Sequence, residues 1–238
     1  SNNKFNALPL TNWILNAKKR LNSSEVSYEV REPLINAHRV IHQFAQTDPL
    51  SHNFWVCCSK LARKCGYYQT AFNYLLNAKN ECPHNLSYVK EMTKFLVKTR
   101  SEHEALGFLK KYTPEVSPKI SKQALIYTDL KLMICKLSSN TSDCDPNMIL
   151  KSYNEVISLK KNLEKTYFAM GSFFDQLSYS KVGFHKSANK ISNSESNIIQ
   201  HYGMSLKYGY KYLYQSMPRL ITIWLDYPST IERNSENS

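Results

Sequence analysis

The chain has 238 residues, with 31 Lys+Arg against 19 Asp+Glu for a net charge of +12, and is 42% hydrophobic and 21% charged. That balance is too apolar for a disordered tail, and the length suffices for one large core or an array of smaller units. Only six glycines occur and no two form Gly-x-Gly, which argues against a tight-turned β fold and a phosphate-cradling loop and leaves an all-helical chain expected.

Residues 1–27 read as a leading segment. The polar ends Ser1-Asn2-Asn3 and Asn234-Ser235-Glu236 look like cuts within a longer protein, and no charged-then-apolar leader is visible. The longest apolar runs, such as Leu220 to Leu225, fall far short of the roughly 20 residues that span a bilayer, so no membrane contact is expected. From 28 to 137 a repeat emerges. Trp55, Cys58, Ser59, Ala62, Gly66, Tyr68, Ala71, Leu75, Ala78 and Pro83 approximate the tetratricopeptide pattern. Small residues (Ser59, Ala71, Ala78) let two helices approach, Trp55 and Leu75 fill the gap, Gly66 punctuates the turn and Pro83 ends the unit. About 34 residues away the pattern recurs in part, upstream at Ala37, Ile41 and Pro49, downstream at Ala105, Leu109 and Pro118. The expected fold is all-α, an α-solenoid of antiparallel helix pairs with tetratricopeptide-like or HEAT-like repeats.

Further along, residues 122–137 read as helix and 138–146 as a polar loop, with Asp145 as N-cap and Pro146 at the first helical position. A helical pair is expected over 147–178. Residues 179–197, rich in Ser, Asn and Lys, read as a long mobile connector. A last helix is expected to start near Ser196 and to end or kink at Met217-Pro218, within a stretch of helices over 198–227, before a polar tail at 228–238.

Chemistry-bearing groups are sparse. His38 and His42 have the i, i+4 spacing of a metal pair, but no third ligand is evident, and two histidines on a partly exposed helix face are the simpler reading. Cys82-Pro83-His84 falls at the repeat terminator and reads as a turn. There is no Gly-x-Ser-x-Gly, His-Arg-Asp or Asp-Phe-Gly, so neither catalytic nor cofactor- or metal-binding residues are assigned. The six cysteines, none in Cys-x-x-Cys, are expected to be buried free thiols, and sequons at Asn22, Asn85 and Asn140 match chance. Lys207-Tyr208-Gly209-Tyr210-Lys211-Tyr212-Leu213-Tyr214 alternates cations with rings that could stack on bases. On a helix, however, Tyr202, Leu206, Gly209 and Leu213 share one stripe and the lysines lie opposite, so a packed helix with a solvated basic side is preferred; any DNA contact is weak or indirect.

The stretch from His201 to Tyr227 also carries a resemblance. Tyr202 and Leu206, then Tyr214, Gln215, Ser216, Met217, Pro218, Arg219, Trp224, Leu225 and Asp226, resemble the FAT domain of phosphatidylinositol 3-kinase-related protein kinases, nearest the ATR class. Arg31-Glu32-Pro33-Leu34, the block Leu61 to Ala78, Glu164 to Met170, and Phe174-Asp175-Gln176-Leu177 agree with it, so the likeness spans roughly residues 28–227. The resemblance implies a large nuclear serine/threonine kinase of DNA-damage and replication checkpoints. Such a kinase acts on Ser or Thr followed by Gln and takes ATP and Mg in a kinase domain C-terminal to these residues. It implies, as partners, that kinase domain, an ATR-interacting regulatory subunit and activator proteins. These 238 residues would be regulatory and scaffolding, with Trp55, Gly66, Ala71, Leu75, Met217, Pro218 and Trp224 serving architecture. A free-standing tetratricopeptide adaptor and a basic nucleic-acid-binding module are the alternatives.

Overall fold

The computed structural model describes residues 27–44, 51–81, 83–114, 121–141, 145–181 and 188–235. Among them are ten α-helices and no strand. They are α1 (Tyr28–Phe44), α2 (Ser51–Lys64), α3 (Tyr68–Glu81), α4 (Leu86–Thr99), α5 (Glu102–Tyr112), α6 (Ser121–Asn140), α7 (Pro146–Leu159), α8 (Glu164–Lys181), α9 (Ala188–Tyr208) and α10 (Leu213–Ser235). The all-α class is as expected, and neighbouring helices pack as the pairs of an α-solenoid. The described residues divide into two compact units, one up to Leu130 and one from Lys131 onward.

In the first unit the α2–α3 hairpin is built as the repeat dictates. Ser59, Ala62, Ala71, Leu75 and Ala78 are all buried, and the small residues allow the two helices their close approach. α2 stops in a left-handed glycine cap. Gly66 has φ +86°, the Tyr67 N–H donates to the Ala62 carbonyl at 2.9 Å, and the Gly66 N–H donates to the Arg63 carbonyl at 3.3 Å. Those two bonds satisfy carbonyls that the helix end would otherwise leave open. Pro83 lies exposed in the turn before α4, whose N-cap Asn85 accepts from the Ser87 N–H. Ala105 and Leu109 on α5 are fully buried, so the downstream copy of the repeat packs like the central one. The upstream copy does not: Ala37 is exposed on α1, while the Ile41 side chain and Pro49 lie outside the described residues.

Trp55 corrects a core assignment, being only half-buried. Its indole N–H donates to Glu81 Oε1 at 2.7 Å, the Arg39 guanidinium lies 4.4 Å above its ring, and the Tyr74 ring is 5.8 Å away. The thiols are mixed as well. Cys58 and Cys135 are buried, and burial pushes each up to about 12, whereas Cys57 and Cys65 are exposed.

The second unit centres on Leu132, Cys135, Ile149, Tyr153, Val156, Ala169, Met170 and Phe173, from the end of α6, α7 and α8. Asp145 caps α7 by accepting from the Asn147 N–H at 3.0 Å, with Pro146 opening the helix, as read from the sequence. Three boundaries differ. α6 runs through Ser138–Asn140 into the expected loop. α8 continues to Lys181 and α9 begins at Ala188, so helix occupies most of the expected connector. α10 passes through Pro218 and on to Ser235, where an end or kink and then a polar tail were expected.

Candidate docking face on the C-terminal helices

α9 lies along α8, and two positions of α8 shape this region, Gly171 the α8–α9 contact and Glu164 the turn from α9 into α10. A Cβ on Gly171 would lie 2.8 Å from the Tyr202 ring, so the absence of a side chain is what lets α8 and α9 close to this distance. A Cβ on Gly209 would lie 2.3 Å from the Glu164 carboxylate, which occupies that space instead. Glu164 then accepts from the Tyr212 N–H at 3.1 Å, and its own carbonyl accepts from Ser205 Oγ at 3.2 Å. A carboxylate placed where a helix begins satisfies a free N–H and complements the positive end of the helix. The chain therefore breaks at Gly209 rather than at Pro218, and the expected continuous stripe from Tyr202 to Leu213 is divided between two helices.

The residues of the C-terminal block fall on two sides. On the inner side, Tyr202, Ser205, Ser216 and Ile223 are buried, and Leu206, Arg219 and Leu220 are partly buried. Ile198, Tyr202 and Ile223 form a cluster with Phe168, Phe174 and Leu220, and Phe168 stacks on Tyr212 at 4.3 Å. Arg219 Nη2 and Nε each reach Asp175 Oδ1 at 2.9 Å, with Nε also 3.1 Å from Oδ2, pinning α10 to α8 by a charge-assisted fork. His201 is held between the Phe174 and Tyr167 rings, at 5.3 and 6.3 Å, and burial lowers its affinity for a proton.

On the outer side, Tyr214 is 90% and Trp224 74% exposed, and Met217, Ile221 and Leu225 are exposed with them. Tyr210, in the turn before α10, is exposed too. Within α10, Tyr214, Met217, Ile221 and Trp224 step by three, four and three residues, the interval at which side chains line one face of a helix. Gln215 and Pro218 are exposed as well; the Asp226 side chain lies outside the described residues. Met217, Pro218 and Trp224, assigned to architecture, are thus exposed on the surface of this unit. A helix apolar on two opposite sides is suited to being covered on both, and an exposed apolar patch of this kind is characteristic of a protein-binding surface.

Elsewhere the expected chemistry stays dispersed. Pro83 and His84 are exposed in a turn, Cys82 and the His38 and His42 side chains lie outside the described residues, and no group of three or more metal-type ligands occurs among the described residues. Lys207 and Lys211 are exposed, on the solvated side assigned to them. A half-open cleft of about 160 Å³ in the second unit is lined by Lys136, Ser139, Tyr153, Ser172 and Gln176 among others, without a carboxylate pair for acid–base work. No described helix is long and apolar enough to cross a membrane. Sequence reasoning missed Glu164, Gly171 and Asp175 as positioning residues. Glu164 and Asp175 stood within blocks of the resemblance, but their partners are 41–48 residues away and left no local signal.

The profile of the FAT domain matches residues 8–222. The chain is 22% identical over 261 aligned residues to the serine/threonine-protein kinase ATR of Oryza sativa subsp. indica, covering 89% of this chain and 10% of that protein. It is 24% identical over 181 residues to the Drosophila melanogaster kinase of the same name, covering 72% and 7%. With the serine/threonine-protein kinase MEC1 of Kluyveromyces lactis it shares 26% identity over 190 residues, covering 77% and 8%. The chain therefore spans about a tenth of the length of these relatives.

Proposed function

The chain belongs to the FAT-domain family, and from that premise we propose that it is the regulatory and scaffolding part of an ATR-like serine/threonine protein kinase. That parent works in the nucleus, in DNA-damage and replication checkpoint signalling and DNA repair. Its catalytic domain, C-terminal to these residues, binds ATP and Mg and phosphorylates Ser or Thr followed by Gln. The FAT helices bind no cofactor themselves. They support the kinase domain and pass on the engagement of a regulatory subunit and activator proteins. Their role in DNA contact is indirect.

The supporting observation is the two-sided α10. Its inner side is anchored on α8 through the Asp175–Arg219 pair and the Ile223 cluster, while the Tyr214–Trp224 row is left open. An anchored helix with an uncovered aromatic face can carry a mechanical load from helical array to neighbour, and exposed Trp and Tyr supply most of the energy in such contacts. Replacing Tyr214 by Ser and Trp224 by Asp in the full-length kinase should lower phosphorylation of a Ser-Gln peptide by about tenfold or more. Amide exchange in α8 and α9 should stay as in the parent. Undiminished phosphorylation in that variant, or ATP turnover by residues 1–238 alone, overturns the reading.

A further inference from the structure

In the first unit α2 and α4 lie against each other, two elements apart in the chain, and their shared face is crowded with cations. Lys60 and Arg63 stand one turn apart on α2; Lys90 and Lys94 stand one turn apart on α4. The carboxylates beside them are already engaged. Glu91 is buried and takes Arg63 Nε at 2.6 Å, with only 4% and 12% of the two side chains exposed, and Asp129 takes the Lys90 ammonium. Neither Lys60 nor Lys94 has an ion-pair partner among the described residues.

Lys94 is the residue under stress. It is half-buried, and burial lowers its proton affinity; Glu91 opposes this, while Lys90, Arg63 and Lys60 each add a smaller push in the same direction as burial. A half-desolvated ammonium among three cations is a standing electrostatic cost in the free protein, and an anion docking there would relieve it.

We propose that the α2/α4 face is a docking site for an extended acidic peptide segment, whose Asp or Glu side chains neutralise Lys94 and Lys60. Packed helices lie about 8–10 Å apart, and an extended peptide advances about 3.3 Å per residue. Acidic side chains two positions apart share one face of such a peptide and stand about 7 Å apart, a span that flexible Glu and Lys side chains extend to one cation on each helix. A nucleic-acid strand fits less well. It needs cations tracking a phosphate backbone and rings for its bases, whereas this face is two helices wide and has the Glu91 carboxylate at its centre.

Fluorescence anisotropy on the full chain tests the assignment with three labelled probes: a peptide with Glu at every second position, the same peptide with Gln, and a single-stranded oligonucleotide. The Glu peptide should bind and the Gln peptide should not, and the double variant Lys60→Gln, Lys94→Gln should weaken Glu-peptide binding by about tenfold or more. Hydrogen exchange supplies a second readout. Lys94→Met should leave α4 equally or better protected in the unliganded protein, because it removes repulsion, and loss of protection would mark Lys94 as a merely structural lysine. Equal binding of the Gln peptide, unchanged Glu-peptide affinity in the double variant, or tighter binding of the oligonucleotide than of the Glu peptide through these lysines would each overturn the proposal.

Discussion

Gly66 shows how much a single residue can carry. Its φ of +86° lies in the left-handed region, where a side chain meets the following carbonyl, although no other atom lies within 4 Å of where a Cβ would stand. Space is therefore not the constraint; backbone conformation is. Gly66→Ala should cost about 1–2 kcal/mol, seen as a lower denaturant midpoint with an unchanged slope. This role was legible because a glycine between two apolar-periodic stretches has few other uses. Trp55, in the same repeat, was not legible. A Trp can be packed by its ring and tied to the surface by its N–H, and the Glu81 bond keeps this one at the edge of the core.

Helices α8, α9 and α10 show where local composition misleads. The Ser- and Asn-rich stretch before Ile198 has low helix propensity, yet α9 extends back to Ala188. Ile198 and Tyr202 are buried with Phe168 and Phe174 nearby, and that tertiary packing outweighs local propensity. Pro218 misleads in the opposite sense, since α10 passes through it while the break falls at Gly209 beside Glu164. The α8–α9 contact also carries a pH dependence. The folded-state pKa of His201 lies below its ordinary 6.5 because burial opposes the charged ring. The unfolded chain then takes up a proton first as pH falls, so the contribution is complete above about pH 6.5 and is lost progressively below it. Hydrogen exchange on α9 at pH 7.5 and pH 5.5 should show loosening at the lower value, and His201→Phe should abolish the difference. Equal protection of the parent protein at both values would count against this account.

Across the whole molecule, two large apolar side chains that look equivalent in the sequence divide by environment. Leu75 is fully buried between α2 and α3, and Leu75→Ala should cost about 2–5 kcal/mol. Trp224 is 74% exposed, and Trp224→Ala should change stability by no more than about 0.5 kcal/mol while removing the centre of the outer row. Chemical denaturation of both variants checks the contrast; a comparable loss for the two would return Trp224 to the architecture of this unit.

The sequence by itself determined the helical class, the α2–α3 hairpin with its glycine cap, the N-cap at Asp145 and the FAT-domain family. These follow from short-range rules, in which spacing, small residues, a cap or a block of contiguous residues carries its own meaning. Tertiary structure alone decided which side of the C-terminal block faces inward and where α9 ends. It also decided which carboxylates leave Lys60 and Lys94 without an ion-pair partner among the described residues. Burial and pairing depend on residues tens of positions apart, such as Asp175 with Arg219 and Glu91 with Arg63, and no local pattern records which distant side chain arrives first.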